Sequence, residues 1–249
     1  MKKVVIALAA VLVCTLLTVG TGVYAQTSAK NRLVPVYGVE RADNRCAISF
    51  DAAWGADKTR QIMDICDEYG VKATFFLVGF WVDKYPDVVR EIHERGFEIG
   101  THSDTHPHMS KLSHAEITSQ LADSVKKIYD ITQTPVRLFR PPFGDYNNTL
   151  ITAASEQGLL TIQWSVDSLD WKGLSARQIA ERIQRAKSGD IILCHNNGDH
   201  ITEALPTVLQ ALKLKGLQVG TVGETVYFDN YTIDANGIQH PVASPKNVA

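Results

Sequence analysis

The sequence predicts a single-domain α/β protein built on a parallel sheet, with a closed or nearly closed barrel favoured over an open doubly wound sheet. Three observations carry this. Short apolar runs suited to buried strands alternate with amphipathic helical stretches about every 25 to 35 residues. Roughly six or seven such units occur, enough to close a sheet on itself. The residues able to do chemistry, Asp51, His102, Asp167 or Asp170, and His195, all fall just past predicted strand ends, which share one face in a parallel barrel.

The elements follow in order. A polar linker at 26–44 precedes Cys46-Ala47-Ile48-Ser49-Phe50, a buried strand that delivers Asp51 at its C-terminal end. Ile62, Ile65, Cys66 and Tyr69 recur at helical spacing and stop at Gly70, and Ala73 to Val78 form a second strand. Pro86 opens and Gly96 closes a helix with Val89 and Ile92 inward, and Phe97 to Gly100 is a short strand. Ser113 and Glu116 have the spacing of a capping box, ahead of a helix whose Ile117, Leu121, Val125 and Ile128 share one face. Leu138-Phe139 is a brief strand running into Arg140-Pro141-Pro142-Phe143-Gly144, and Asn147 caps a helix that Gly158 ends. Leu160 to Ser165, Asp190 to Cys194 and Gly216 to Val219 read as strands, with helices carrying Ile179 and Ile183, then Leu205, Val208, Leu209 and Leu212, between them. From Asp229 onward there is little periodicity, so 229–249 is expected to lie irregularly over the surface.

At 249 residues with 45% hydrophobic and 21% charged content, the chain is long enough for one substantial domain. A formal net charge of -2 gives no basic field for a phosphate backbone, so no nucleic-acid partner is expected. Residues 1–25 are a different material: Lys2 and Lys3, an uncharged apolar run from Val4 to Val19, and the small-residue ending Val23-Tyr24-Ala25. They read either as an export signal cleaved after Ala25 or as an uncleaved membrane anchor. Both readings put 45–228, the expected functional domain, outside the cytoplasm, secreted or held at the outer face of the membrane. Cys14 falls in that leader, leaving Cys46, Cys66 and Cys194. An odd number with no C-x-x-C pair argues for buried free thiols rather than a disulfide framework.

Three of the eight histidines fall within Thr101-His102-Ser103-Asp104-Thr105-His106-Pro107-His108. If this segment makes one helical turn, His102 and His106 stand on one face, close enough to hold one divalent ion.

Ser49-Phe50-Asp51, His102-x-x-x-His106, Arg140-Pro141-Pro142-Phe143-Gly144, Asp167-x-x-Asp170-Trp171 and Leu193-Cys194-His195 occur in that order. Between about Arg45 and Tyr227 the chain thereby resembles the polysaccharide deacetylases of the NodB-homology type, carbohydrate esterase family 4. The wording around Asp51-Ala52-Ala53-Trp54-Gly55 is most similar to the sporulation-associated members from spore-forming Gram-positive bacteria. The resemblance implies a distorted (β/α) barrel and metal-dependent removal of N-acetyl groups from peptidoglycan or chitin-like amino sugars. It implies Asp51 as general base, His195 as general acid, Arg140 orienting Asp51, and Asp170 tuning His195. It makes His102 and His106 metal ligands, with zinc the expected ion and cobalt, manganese or nickel the alternatives. Trp171, Leu193, Pro142 and Phe143 would meet the N-acetylated glycan.

The family's usual first motif has two aspartates, the second a metal ligand; here Ala52 stands at that position. That departure supports an alternative, a catalytically weakened relative that binds glycan. A third donor from Asp51, Asp57 or Asp104, or water, would then complete the ion's shell. A glycosidase using Asp51 and Asp170 is a further alternative, though it leaves the paired histidines without a role.

Overall fold

The structure is a computed structural model that describes residues 32–242. The leader, and with it the choice between signal and anchor, lies outside the described residues. Among the described residues no helix is long and apolar enough to cross a membrane.

The eight-residue strand β2 (Arg45–Ala52) is the centre of the fold. Around it stand β3 (Thr74–Leu77), β4 (Glu98–Thr101), β5 (Leu138–Phe139), β6 (Leu160–Thr161), β7 (Val166–Asp167) and β8 (Ile191–His195). Their order is β6-β5-β4-β3-β2-β8-β7, every neighbouring pair is parallel, and the sheet curls into a half-barrel. An eighth strand, β9 (Gln218–Gly220), pairs with Arg45 to Ala47, while β3 takes Ser49 to Ala52 along the same strand. The α/β fold is the distorted barrel expected, and its seam lies between β6 and β7.

Side chains alternate across β2. Ile48 and Phe50 join the apolar cluster beneath the helices, whereas Ala47 packs with Val36, Ile162 and Ile191 inside the curl. Asp51, four residues beyond Ala47, shares the inner face.

The helices form where capping and apolar spacing agree. Helix α1 (Thr59–Glu68) buries Ile62, Met63 and Cys66. A short α2 (Gly79–Lys84) leads into α3 (Pro86–Glu94), which starts on its proline and buries Val88, Val89 and Ile92. In α4 (His114–Thr132) the capping box is present in full: the Ser113 side chain accepts from Glu116 N, and the Glu116 carboxylate accepts from Ser113 N. A cap of this kind contributes about 1 kcal/mol. The remaining helices are α5 (Asn148–Glu156), capped by Asn147, α6 (Ala176–Ile183), α7 (Ile201–Leu214) and the one-turn α8 (Val222–Thr225). Cys46, Cys66 and Cys194 are free and buried. Burial pushes the first two thiols up to about 12, which leaves them inert.

Two segments differ from the expectation. The stretch expected as linker contains Val36, which bridges Ile162, and Gly38, which bridges Asp190. It therefore spans the barrel seam rather than leading up to the domain. β1 (Gly38–Val39) then pairs with β11 (Ile238–Pro241), and β11 pairs with β10 (Tyr231–Ile233) in a small separate sheet. Over the described residues 229–242 the segment is thus ordered around two strands, not laid irregularly on the surface. These strands are two to four residues long, too short for alternation to register. One anchor is polar: the buried Gln239 side chain accepts from Tyr227 N and donates to Tyr227 O.

Candidate active site

All the chemistry-bearing side chains gather at the C-terminal ends of the strands, around a cavity of about 450 Å³. On β2, Asp51 lies in register with His195 of β8 on one side and Phe76 of β3 on the other. Arg140 follows β5 and is fully buried. Its Nη1 donates to Asp51 Oδ1 (2.8 Å), its Nη2 to the Gln163 carbonyl (3.2 Å), and its guanidinium lies 4.2 Å over the Phe76 ring. Burial alone would raise the Asp51 pKa. The charge and hydrogen bond of Arg140, with the charge of His195, oppose it and hold the carboxyl below its ordinary value.

His102 comes directly after β4 and is buried. Its Nδ1 lies 2.7 Å from the Arg140 carbonyl and donates to it, which leaves Nε2 as the free nitrogen, 3.6 Å from Asp51 Oδ2. Burial lowers the His102 pKa against the pull of Asp51, so the ring is neutral. His106 reaches the same place without a helical turn. Ser103 and His106 both have positive φ (70° and 58°), and Ser103 Oγ accepts from His106 N at 2.9 Å. The chain folds back on itself, and the two imidazoles meet edge to face with centroids 5.0 Å apart. Burial, then the neighbouring His102, bring the His106 pKa down to about 4. The spacing was informative; the helical turn assumed for it was not the local structure.

Across the cavity, His195 Nδ1 donates to Asp170 Oδ1 (2.7 Å) and its backbone amide to Asp170 Oδ2 (2.8 Å). Burial would lower the His195 pKa. The hydrogen bond and charge of Asp170, helped by Asp51 and Asp167, raise it above its ordinary value. Asp170 is fully buried, with both oxygens committed to His195. That removes the pair of free carboxylates the glycosidase reading needs. Gly198 makes this packing feasible, because a Cβ there would sit 2.6 Å from Asp170 Oδ2.

Asp51, His102, His106, His195, Phe143, Trp171 and Leu193 line the cavity, and Arg140 and Asp170 stand behind Asp51 and His195. Pro142, expected to face substrate, is buried and outside the lining; the turn instead presents Phe143, at φ 61°. Trp54, Trp164 and Asn197 also line the cavity. Trp54 and Asn197 lie in loops without periodicity, and Trp164 falls past the end of β6 in a run expected as strand, so sequence reasoning missed them as site residues.

The donor set bears directly on the implied ion. Two neutral imidazoles, one with its far nitrogen fixed by a backbone carbonyl, are what an N-ligated divalent ion requires. Of the candidate third donors only Asp51 comes near, its Oδ2 3.6 Å from His102 Nε2 while Oδ1 is held by Arg140. Ala52 has no donor atom, Asp104 is paired with Lys127 (2.7 Å), and Asp57 is exposed and outside the cavity. Among the described residues no group of three His, Cys, Asp or Glu is placed to hold a metal. The residues present fit an ion held by His102 and His106, with its other positions left to water or substrate.

The family model described as "Polysaccharide deacetylase" matches residues 38–162. A peptidoglycan-N-acetylglucosamine deacetylase of Bacillus cereus is 33% identical over 181 residues, covering 71% of this chain and 66% of the relative. The chain therefore spans just under two thirds of that protein's length. Among solved structures, a CE4 family pseudoenzyme from Bacillus anthracis superposes with a TM-score of 0.75 at 34% identity, over 79% of this chain and 69% of the other. A mutant of that pseudoenzyme with restored enzymatic activity gives the same TM-score at 35% identity, over 79% and 71%. A family model spanning half its length and a fold shared with carbohydrate esterase family 4 proteins show that the chain belongs to the polysaccharide deacetylase family.

Proposed function

We propose that this chain removes N-acetyl groups from cell-wall or spore-cortex polysaccharide, with peptidoglycan or a chitin-like amino sugar as substrate. One observation carries the reading. A carboxylate whose pKa is held down by a buried arginine and an imidazole whose pKa is raised by a buried aspartate share one cavity as register partners. That is a base and an acid tuned apart from each other.

The family is generally metal-dependent. A divalent ion on His102 and His106 would polarise the acetamide carbonyl and lower the pKa of a bound water from 15.7 toward about 7. The two nitrogen donors favour zinc, with cobalt, manganese and nickel as the alternatives. Asp51, fixed through Oδ1 by Arg140, takes the proton of the attacking water as its oxygen bonds the acetyl carbon. His195 gives a proton to the amide nitrogen as the C–N bond breaks, and Asp170 keeps the donating tautomer aimed by holding Nδ1. The products are acetate and the free amino sugar. Export of the chain, with or without a retained anchor, rests on the Lys2-Lys3 and apolar pattern of residues 1–25.

A second reading is favoured by Ala52 and by the likeness to a pseudoenzyme: a relative that binds glycan strands without hydrolysing them. Acetate release from purified peptidoglycan and from chitooligosaccharides, with chelator and with added Zn²⁺ or Co²⁺, separates the two. Chelator-sensitive acetate release establishes the deacetylase. Glycan binding with no acetate under any metal establishes the second reading, and new reducing ends without acetate would overturn both.

A further inference from the structure

Two tryptophans, Trp171 and Trp54, stand exposed at the mouth of the cavity. Trp54 is 57% exposed, lines the cavity and packs edge to face on His106 with centroids 5.0 Å apart. An indole left in water on a loop is a poor use of an apolar side chain unless something covers it.

The loop is also unusually well fixed. The carbonyl of Gly55, the next residue, accepts from the buried Trp81 Nε1 (2.6 Å) and from Asn196 Nδ2 (2.8 Å). Asn196 is itself buried, its Nδ2 reaches Thr59 Oγ1 (3.1 Å), and its backbone amide donates to the Asp51 carbonyl (3.1 Å). Trp54 is therefore tied to the end of β2 that carries Asp51 and to the residue that follows His195. An exposed ring on a fixed backbone, referenced to both reacting groups, is arranged as a platform rather than as a mobile side chain.

A pyranose is the ligand that matches it. Its ring face is a patch of C–H groups, its hydroxyls and acetamide radiate from the edge, and a flat indole covers such a face without competing for the polar groups. We propose that Trp54 forms a glycan subsite beside the reacting sugar, stacking on a neighbouring pyranose of an amino-sugar polymer, so that the site selects chains over single sugars. This rests on the deacetylase reading only for which sugar reacts; the subsite itself is a binding claim.

The test is calorimetric titration of the full chain, with chelator present, using N-acetylglucosamine pentasaccharide and the monosaccharide as probes. Trp54→Ala should weaken pentasaccharide binding about tenfold, the scale of one lost stacking contact, and change monosaccharide binding less than twofold. Trp54→Phe should recover most of the loss. Equal pentasaccharide affinity in wild type and Trp54→Ala overturns the subsite, as does an equal loss for both sugars, which would put Trp54 in the acetamide pocket. No pentasaccharide binding by the folded wild type also overturns it. Wild-type chain that binds the pentasaccharide through Trp54 yet releases no acetate leaves the subsite standing and sinks the deacetylase reading alone.

Discussion

Asp51 and His195 are direct register partners on adjacent parallel strands, β2 and β8. Each is held from behind by a different buried residue, Arg140 for the carboxylate and Asp170 for the imidazole. The carboxylate and the imidazole thus share a backbone spacing set by sheet hydrogen bonds, which are stiffer than any loop.

Replacing Asp51 by asparagine should remove the base while keeping an acceptor for Arg140. Acetate release is expected to fall on the order of 10²-fold or more, with pentasaccharide affinity retained. Unchanged turnover would show that Asp51 is a structural partner of Arg140 and nothing else.

Arg140→Met tests the ion pair by stability. Arg140 is wholly buried and Asp51 nearly so, and removing one member of such a pair leaves an uncompensated charge costing about 3–5 kcal/mol. Urea unfolding of the two proteins measures it. A second change, Asp51→Asn in the Arg140→Met background, should return part of the loss, because it removes the stranded charge.

The pH profile has a definite sign. His195 must be protonated to donate, and its raised pKa keeps it so to higher pH than an ordinary imidazole. Acetate release should therefore fall as pH rises through the His195 value. The same shift contributes stability that is present below the unfolded pKa and lost as pH rises through the folded one. Asp170→Asn removes the raising charge and should move the alkaline limb to lower pH; a limb that stays put belongs to another group. Asp51, with its lowered pKa, places the acidic limb below the usual carboxylate range.

Ala52→Asp restores the carboxylate of the family's first motif at a position that is fully buried. Without an ion the variant should be less stable than wild type, since a buried carboxylate without a partner is costly. With Zn²⁺ its Tm should rise by more than the wild type's does, because a third anionic ligand tightens the site. Equal zinc-dependent shifts would mean that the new carboxylate does not reach the ion. His102→Ala with His106→Ala should abolish the shift in both backgrounds.

The sheet was legible because β2, β3 and β8 are largely apolar runs between helices, built on buried Ile, Phe and Leu, a pattern only a doubly covered strand needs. The pairing of Asp51 with His195 was legible because the two interrupt such runs at their ends. Three things were not. The approach of His106 depends on positive φ at Ser103 and His106, which residue types that favour other backbone regions do not announce. The seam closure by Val36 and Gly38, and the small terminal sheet, involve strands too short to carry a period. The ties from Trp81 and Asn196 to the Gly55 carbonyl span 26 and 141 residues. No local pattern encodes a contact of that kind.

Arg140 serves the site twice, through two parts that evolution can reach unequally. Its guanidinium holds Asp51, whereas the group that orients His102 is its main-chain carbonyl. Any residue placed at 140 still presents a carbonyl there, so the histidine end of the cavity is insured against substitution while the carboxylate end is not. A single side-chain change at 140 can therefore release Asp51, as Ala52 already withholds a donor, while the carbonyl that fixes His102 stays in place.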